Sequence, residues 1–244
     1  MSTPSGTMRG YCRHCGKKLE PIEVEVNGRM VTVAYRFCDC DAAKAEIIAE
    51  AEAAAEKAAR EERLAVERRY RAAGIPSKYW DADADDAEHI AKIDEGRGLY
   101  FTGKPGRGKT YTACSIARKK IAEGWRVRFG DVETIEREVK AAWHSRETSE
   151  AEVLLKYVNA DLAIIDDLGA EAMTPTTMKV LRGIITEREA NGGVTIFTSN
   201  FDRREFAKHV AASADQTMAY RLASRIAGMT ELVEFDGEDR RLKR

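Results

Sequence analysis

Residues 100–113 read YFTGKPGRGKTYTA, and this stretch decides the fold. Gly103, Gly108, Lys109 and Thr110 hold the fixed places of G-x-x-x-x-G-K-T. Lys104, Pro105, Gly106 and Arg107 lie between them, and Tyr111 follows. The apolar run GLYF precedes the motif and the helix-compatible run TYTACSIARKKIAE continues it. In a strand–loop–helix setting, backbone N–H groups of such a loop wrap phosphate oxygens, and the helix N-terminus adds partial positive charge. The stretch therefore implies a nucleoside triphosphate bound with Mg²⁺. The ammonium of Lys109 suits the β- and γ-phosphates, and the hydroxyl of Thr110 suits the metal.

Apolar runs alternate with helical patterns on the C-terminal side of the motif, which predicts a parallel sheet flanked by helices. GLYFT, WRVRFG, DLAIIDDLG, VTIFTSN and TELVEF read as five strands. DVETIEREVKAAWH and PTTMKVLRGIITEREA read as helices, the second with Pro175 in its first turn and Thr174 as cap. Asp166, ending an apolar strand, is placed to hold Mg²⁺, and Asp167 beside it to orient or deprotonate the attacking water. Asn200, after the fourth strand, is placed to bond that water or the γ-phosphate. Buried within the helix after the loop, Cys114 reads as core.

The chain has 244 residues and a net charge of −1, which suits one ordinary domain plus a smaller module. Near-neutral charge argues against general coating of nucleic acid, though not against a local basic patch. No apolar run approaches the length of a membrane span, and MSTPSGTMRGYC has no apolar signal core, so a cytoplasmic location is expected.

Four of the five cysteines fall in the first 40 residues, as CRHC (Cys12, Cys15) and CDC (Cys38, Cys40). Such clustering in a reducing compartment points to metal. Between the pairs, two alternating runs flank Asn27-Gly28, a two-residue hairpin signal. Taken literally, that turn sets Val26 opposite Arg29, Ile22 opposite Val33 and Cys15 opposite Cys40. Both cysteine pairs then meet at the open end as a tetrahedral, structural Zn²⁺ site. His14 is either a replacement ligand or solvent-facing.

Residues 41–73 contain no Gly or Pro and are rich in Ala, Glu and Arg, which predicts one long helix capped by Asp41 and stopped at Gly74 and Pro76. It is either a solvated connector or a docking arm using Ile47 and Ile48. The expected organisation is a zinc-binding module over 1–41, a charged helix over 42–74 and an ATPase domain over 75–244.

GKPGRGKT, LAIIDDLGAE, TIFTSN and YRLASRIAG, in that order, resemble the AAA+ core of DnaC/DnaI-type replicative helicase loaders of bacteria and phages. IstB-type transposition ATPases share that core. The resemblance covers residues 75–244 and implies a five-stranded parallel AAA+ core, ATP-dependent assembly into a homo-oligomer, single-stranded DNA binding and a replicative helicase as partner. It makes Lys109 and Thr110 part of Walker A, Asp166 and Asp167 Walker B, and Asn200 sensor 1. The cysteine module resembles the zinc-bearing, helicase-docking domains of DnaI-like loaders and favours a loader. An ATPase assisting a DNA transposase is the alternative.

In QTMAYRLASRIAGM, Arg221 and Arg225 lie four apart and share a helix face. The resemblance makes Arg225 an arginine finger acting on a neighbouring subunit and Arg221 its support. Asp167 stands where many AAA+ proteins carry Glu, which implies slow hydrolysis. After ELVEF only DGEDRRLKR follows, so a sensor 2 role falls to Arg241, whose other reading is a solvated charge. Lys140, Trp143, His144 and Arg146 offer cations beside an aromatic surface for single-stranded DNA, or else Trp143 packs on the core. Two other classes fit less well. A small-molecule kinase needs a lid that has no sequence here, and a zinc-dependent DNA-binding protein needs a basic first module, whereas residues 20–27 read EPIEVEVN.

Overall fold

A computed structural model describes residues 7–8, 10–170, 173–213 and 215–239. The chain divides into two compact units, Met1–Ala65 and Val66–Arg244.

In the first unit, strands β1 (Thr7–Met8) and β2 (Tyr11–Cys12) pair antiparallel, as do β3 (Pro21–Val26) and β4 (Arg29–Tyr35). Asn27 and Gly28 both have positive φ, 54° and 75°, so the hairpin turn forms where the sequence predicts it. Val26 faces Arg29 as expected, but Ile22 faces Ala34 rather than Val33. The ladder shifts between Ile22 and Glu23 because Val33 is an extra, bulged residue. Cys15 is not in the ladder opposite Cys40. It lies in a tight turn after β2, closed by Gly16 N–H donating to Cys12 O at 2.9 Å. The core of this unit is small: Cys12, Leu19, Cys38 and Ala43, with Tyr35 and Cys40 at its margin.

Helix α1 spans Asp41–Ala73, so Asp41 is its first residue, where the sequence predicts it as the cap of a helix over 42–74, and the helix ends just before Gly74. A 3₁₀ turn (Ser77–Tyr79) and helix α2 (Ala87–Asp94) lead to β5 (Gly98–Thr102). There follow α3 (Lys109–Ala122), β6 (Val127–Asp131), α4 (Val132–Ala142), α5 (Glu150–Val158), β7 (Leu162–Asp166), α6 (Pro175–Ala190), β8 (Val194–Ser199), α7 (Arg203–Ser213), α8 (Gln216–Met229) and β9 (Thr230–Glu234). The five strands form one parallel sheet in the order β6-β7-β8-β5-β9.

Side chains alternate across this sheet, as the two-residue period of a strand requires. Leu99, Phe101, Ile164 and Ile196 face a core made with α2, α3 and the end of α1. Tyr100, Ile165 and Phe197 face a second core made with α4, α5, α6, α7 and α8. The result is the three-layer α/β sandwich expected from the sequence. Among the described residues, no helix is long and apolar enough to cross a membrane.

Arg188 sits fully buried on α6, and among the described residues no carboxylate hydrogen-bonds it. Its guanidinium donates to the carbonyls of Tyr157, Val158 and Ala160 at the end of α5, to Val194 O and to Thr195 Oγ1, at 2.5–3.0 Å. Burial pulls its pKa down to about 10. The cation closes helix α5 and pins it to the start of β8.

Candidate functional site

Strand order builds the site. β5, β8 and β7 are neighbours and parallel, so the segments after Thr102, Ser199 and Asp166 emerge together at one edge of the sheet. After β5 the loop needs positive φ at Gly103 (136°), Gly106 (79°) and Gly108 (95°), which only glycine adopts freely. Lys109 then opens α3 and is nearly buried. Its ammonium donates to Gly103 O at 2.6 Å, Lys104 O at 3.1 Å and Asn200 Oδ1 at 2.9 Å. Lys109 and Asn200, ninety-one positions apart, thus meet over the loop.

Next to them, the hydroxyl of Thr110 lies 2.9 and 3.2 Å from the two carboxylate oxygens of Asp166. Two oxygens on adjacent corners of a Mg²⁺ octahedron lie about 3.0 Å apart, so this pair fits the ion. Burial pushes the Asp166 carboxyl above the ordinary range, against hydrogen bonds from Thr198 and Thr110 that pull it down. Asp167 is exposed and takes a left-handed backbone, φ 56°, one of two non-glycine residues with positive φ among those described.

Sequence reading missed Thr198. Its hydroxyl donates to Asp166 Oδ1 at 2.5 Å and accepts the backbone N–H of Asp167 at 3.0 Å. The segment after β9 was also missed as a neighbour of the loop. Phe235 N–H donates to Thr102 O at 2.7 Å, and Arg107 pairs with Asp236 at 2.9 Å. A side chain at Gly103 would strike the Phe235 carbonyl, and one at Gly106 the Asp239 carboxylate. Tyr111 faces elsewhere, its hydroxyl accepting Asp83 N–H at 2.9 Å. Arg241 lies outside the described residues.

In the first unit the four sulfurs of Cys12, Cys15, Cys38 and Cys40 lie within 4.8 Å of one another. Cys12 Sγ is 3.8 Å from Cys40 Sγ, and Cys15 Sγ is 3.4 Å from Cys38 Sγ. Sulfurs around a tetrahedral zinc, each at about 2.3 Å, sit about 3.8 Å apart, so the donor set and spacing fit Zn²⁺. Backbone N–H groups of Cys15 and His14 favour the Cys12 thiolate and bring its pKa to about 6. Cys38 is raised: the Cys40 backbone N–H lowers it, but burial and the crowding of Cys15 and Cys12 outweigh that. His14 turns away, its Nε2 2.8 Å from Glu46 Oε2.

Arg221 and Arg225 line a 390 Å³ pocket between α6 and α8, together with Arg182, Thr186 and Glu187. Arg225 pairs with Glu189, in the last turn of α6. That turn precedes β8, whereas Asn200 follows it, and a six-residue strand spans about 20 Å. Arg225 therefore stands toward the far edge of the sheet from its own Asn200. Trp143 is 51% exposed, which overturns the core-packed reading of that ring. Its Nε1 donates to Glu150 at 3.0 Å, Lys140 pairs with Glu136 at 2.8 Å, and His144 and Arg146 are exposed.

A five-stranded parallel sheet that gathers a phosphate loop, an acidic pair and an asparagine at one edge defines the core of an AAA+ P-loop ATPase. Within that class, the chain belongs to the IstB-like ATP binding protein family, whose profile matches residues 50–244. It is 30% identical to the replicative helicase loader DnaI of Bacillus subtilis over 60% of this chain and 48% of that protein. It is 27% identical to the putative ATP-binding protein of insertion sequence IS5376 from Geobacillus stearothermophilus, over 63% of this chain and 59% of that protein. The crystal structure of the DnaC helicase loader superposes with a TM-score of 0.54 at 25% identity, covering 66% of this chain and all of that one. The chain matches about half the length of the curated DnaI protein.

Proposed function

We propose that this chain is an ATP-dependent DNA replication protein that loads a replicative helicase onto single-stranded DNA, with ATP held at subunit interfaces of a homo-oligomer. The observation that carries this reading is the four-sulfur cluster standing ahead of an ATPase core similar to DnaI and DnaC. The cluster is structural, since four filled positions leave no place for chemistry, and its module is the part free to dock the helicase. The division into a zinc module over 1–41, a connecting helix over 42–74 and an ATPase domain over 75–244 belongs to the same proposal, as does a cytoplasmic location.

At the nucleotide, Gly103, Lys104, Pro105, Gly106, Arg107 and Gly108 cradle the phosphates, Lys109 neutralises them, and Tyr111 flanks the loop. Thr110 and Asp166 hold Mg²⁺, which supplies charge neutralisation at the phosphates when bound. Asp167 takes the proton of the attacking water, and Asn200 orients it. Arg225 from the neighbour meets the γ-phosphate, with Arg221 beside it. The aspartate at position 167 carries its carboxylate one methylene closer to the backbone than a glutamate would, so turnover is slow.

Mixing the purified chain with the replicative helicase of the same genome tests this. ATP-dependent transfer of that helicase onto closed circular single-stranded DNA is expected, and its loss on replacing Cys38 and Cys40 with serine. A chain that neither binds nor transfers the helicase overturns the loader reading. The IstB family match and the IS5376 relative favour the second reading, an ATPase assisting a DNA transposase. Stimulation of hydrolysis by a transposase of the same genome, with none by the helicase, would establish it.

A further inference from the structure

We propose that Thr198 is a positioning residue of the hydrolytic site, a single hydroxyl that sets the geometry of both Walker B aspartates. This rests on the reading of Asp166 as a Mg²⁺ ligand and of Asp167 as the residue facing the attacking water.

Thr198 lies in β8, beside the end of β7, and is 1% exposed. A hydroxyl has one proton to give and two lone pairs to receive with. Asp167 N–H is itself a donor, so at 3.0 Å it occupies a lone pair of Thr198 Oγ1. The one proton is thereby left for Asp166 Oδ1, at 2.5 Å. Each role fixes a different aspartate. The bond to Asp166 holds the carboxylate against rotation while its two oxygens meet Thr110, so the metal-facing pair is preorganised. The bond to the Asp167 amide acts on backbone. Asp167 sits at φ 56°, a conformation an L-residue keeps only where its surroundings hold it.

Further bonds from the same strand complete the hold. Leu168 N–H donates to Thr198 O at 2.7 Å, and Ser199 Oγ donates to Leu168 O at 2.6 Å. Ser199 Oγ also accepts Phe201 N–H at 3.1 Å, and Phe201 O accepts from Tyr100 and Thr102 on β5 at 3.0 and 2.9 Å. The turn that presents Asp167 is therefore stitched, through β8, to the strand that carries the phosphate loop. Thr198 is the only one of these β8 groups whose side chain reaches both aspartates. A valine there keeps the shape and removes both bonds, and a serine keeps both bonds and removes a methyl.

The experiment compares wild type, Thr198→Val, Thr198→Ser and Asp166→Ala in the full chain. Three things are read: binding of a fluorescent ATP analogue across a Mg²⁺ titration, steady-state hydrolysis, and amide exchange over residues 162–169 without nucleotide. Thr198→Val is expected to bind the analogue without Mg²⁺ as wild type does. It should need about tenfold more Mg²⁺ for the metal-dependent gain and lose roughly 10- to 100-fold in kcat with little change in KM. Exchange at Asp167 should speed up. Thr198→Ser should stay within about threefold of wild type on every readout.

Wild-type Mg²⁺ dependence and exchange in Thr198→Val, with Asp166→Ala impaired, overturn the positioning role alone. A serine variant as deficient as the valine variant also overturns it, because the methyl and not the hydroxyl would then matter. Asp166→Ala with wild-type Mg²⁺ dependence overturns the reading beneath the proposal, and the proposal with it.

Discussion

The ammonium of Lys109 lies 2.9 Å from Oδ1 of Asn200, bringing the first residue of α3 to the residue that follows β8. Lysine at this place should serve binding, and asparagine should serve the chemical step. Lys109→Ala is expected to abolish nucleotide binding. Asn200→Ala should bind within a few-fold of wild type while hydrolysis falls roughly 10²-fold, the usual cost of one lost donor at a reacting phosphate or carbonyl. Equilibrium binding and single-turnover hydrolysis separate the two. Equal loss of binding in both variants would contradict the division of labour.

Zinc should carry the first unit. With Cys12, Leu19, Cys38 and Ala43 as its buried apolar residues, that unit has little core, and structural zinc contributes about 10–16 kcal/mol of folding free energy in small modules. Metal analysis should find about one zinc per chain. Cys38→Ser with Cys40→Ser should expose residues 10–40 to proteolysis and leave ATP binding intact, because the second unit has its own two cores. Four freely reactive thiols in the native protein would contradict this.

Arg188 should be a stability residue with no part in ATP chemistry. Replacing it with leucine strands three carbonyls at the end of α5 and two groups at the start of β8. The expected loss is on the order of 3–5 kcal/mol in urea unfolding, with the folded fraction hydrolysing ATP normally. A loss below about 1 kcal/mol would show that water replaces the guanidinium there.

In the proposed single-stranded DNA contact, the exposed ring of Trp143 would be the stronger element, since Lys140 is already paired with Glu136. Trp143→Ala should weaken single-stranded DNA binding about tenfold with the salt dependence unchanged. Lys140→Ala with Arg146→Ala should lower the salt slope by about 0.7 for each phosphate no longer neutralised. Unchanged affinity and slope in both would remove this surface from the DNA path.

The sheet was legible because each strand is a short apolar run and the loop motif ties one of them to a helix. Helix α1 was legible from its composition, although Asp41 is its first helical residue and not its cap, and it ends at Ala73, one residue before Gly74. Other signals were present in the sequence but passed over. Helix α5 carries a capping box, Ser149 with Glu152, and Asp202 with Glu205 does the same ahead of α7. The bulge at Val33 leaves no mark, since VTVAY alternates equally well in either register. Thr198 and Arg188 could not be read at all. Their roles depend on which strands lie side by side, and a threonine in a strand or an arginine in a helix is ordinary until that order is known.

The central claim is that ATP bound by one subunit is completed by the arginine of the next. Arg225 pairs with Glu189 ahead of β8, at the opposite end of that strand from Asn200, so in the proposed reading it acts on a neighbour's ATP. The most direct test mixes Arg225→Ala chains, which keep an intact loop, with Lys109→Ala chains, which keep an intact arginine. Each variant alone should hydrolyse ATP at least roughly 10³-fold more slowly than wild type, the scale of a missing arginine finger. Mixed, they should regain a measurable part of the wild-type rate, rising with total protein concentration as mixed interfaces form. Wild-type hydrolysis by Arg225→Ala alone, at concentrations where the wild type assembles, would contradict the account.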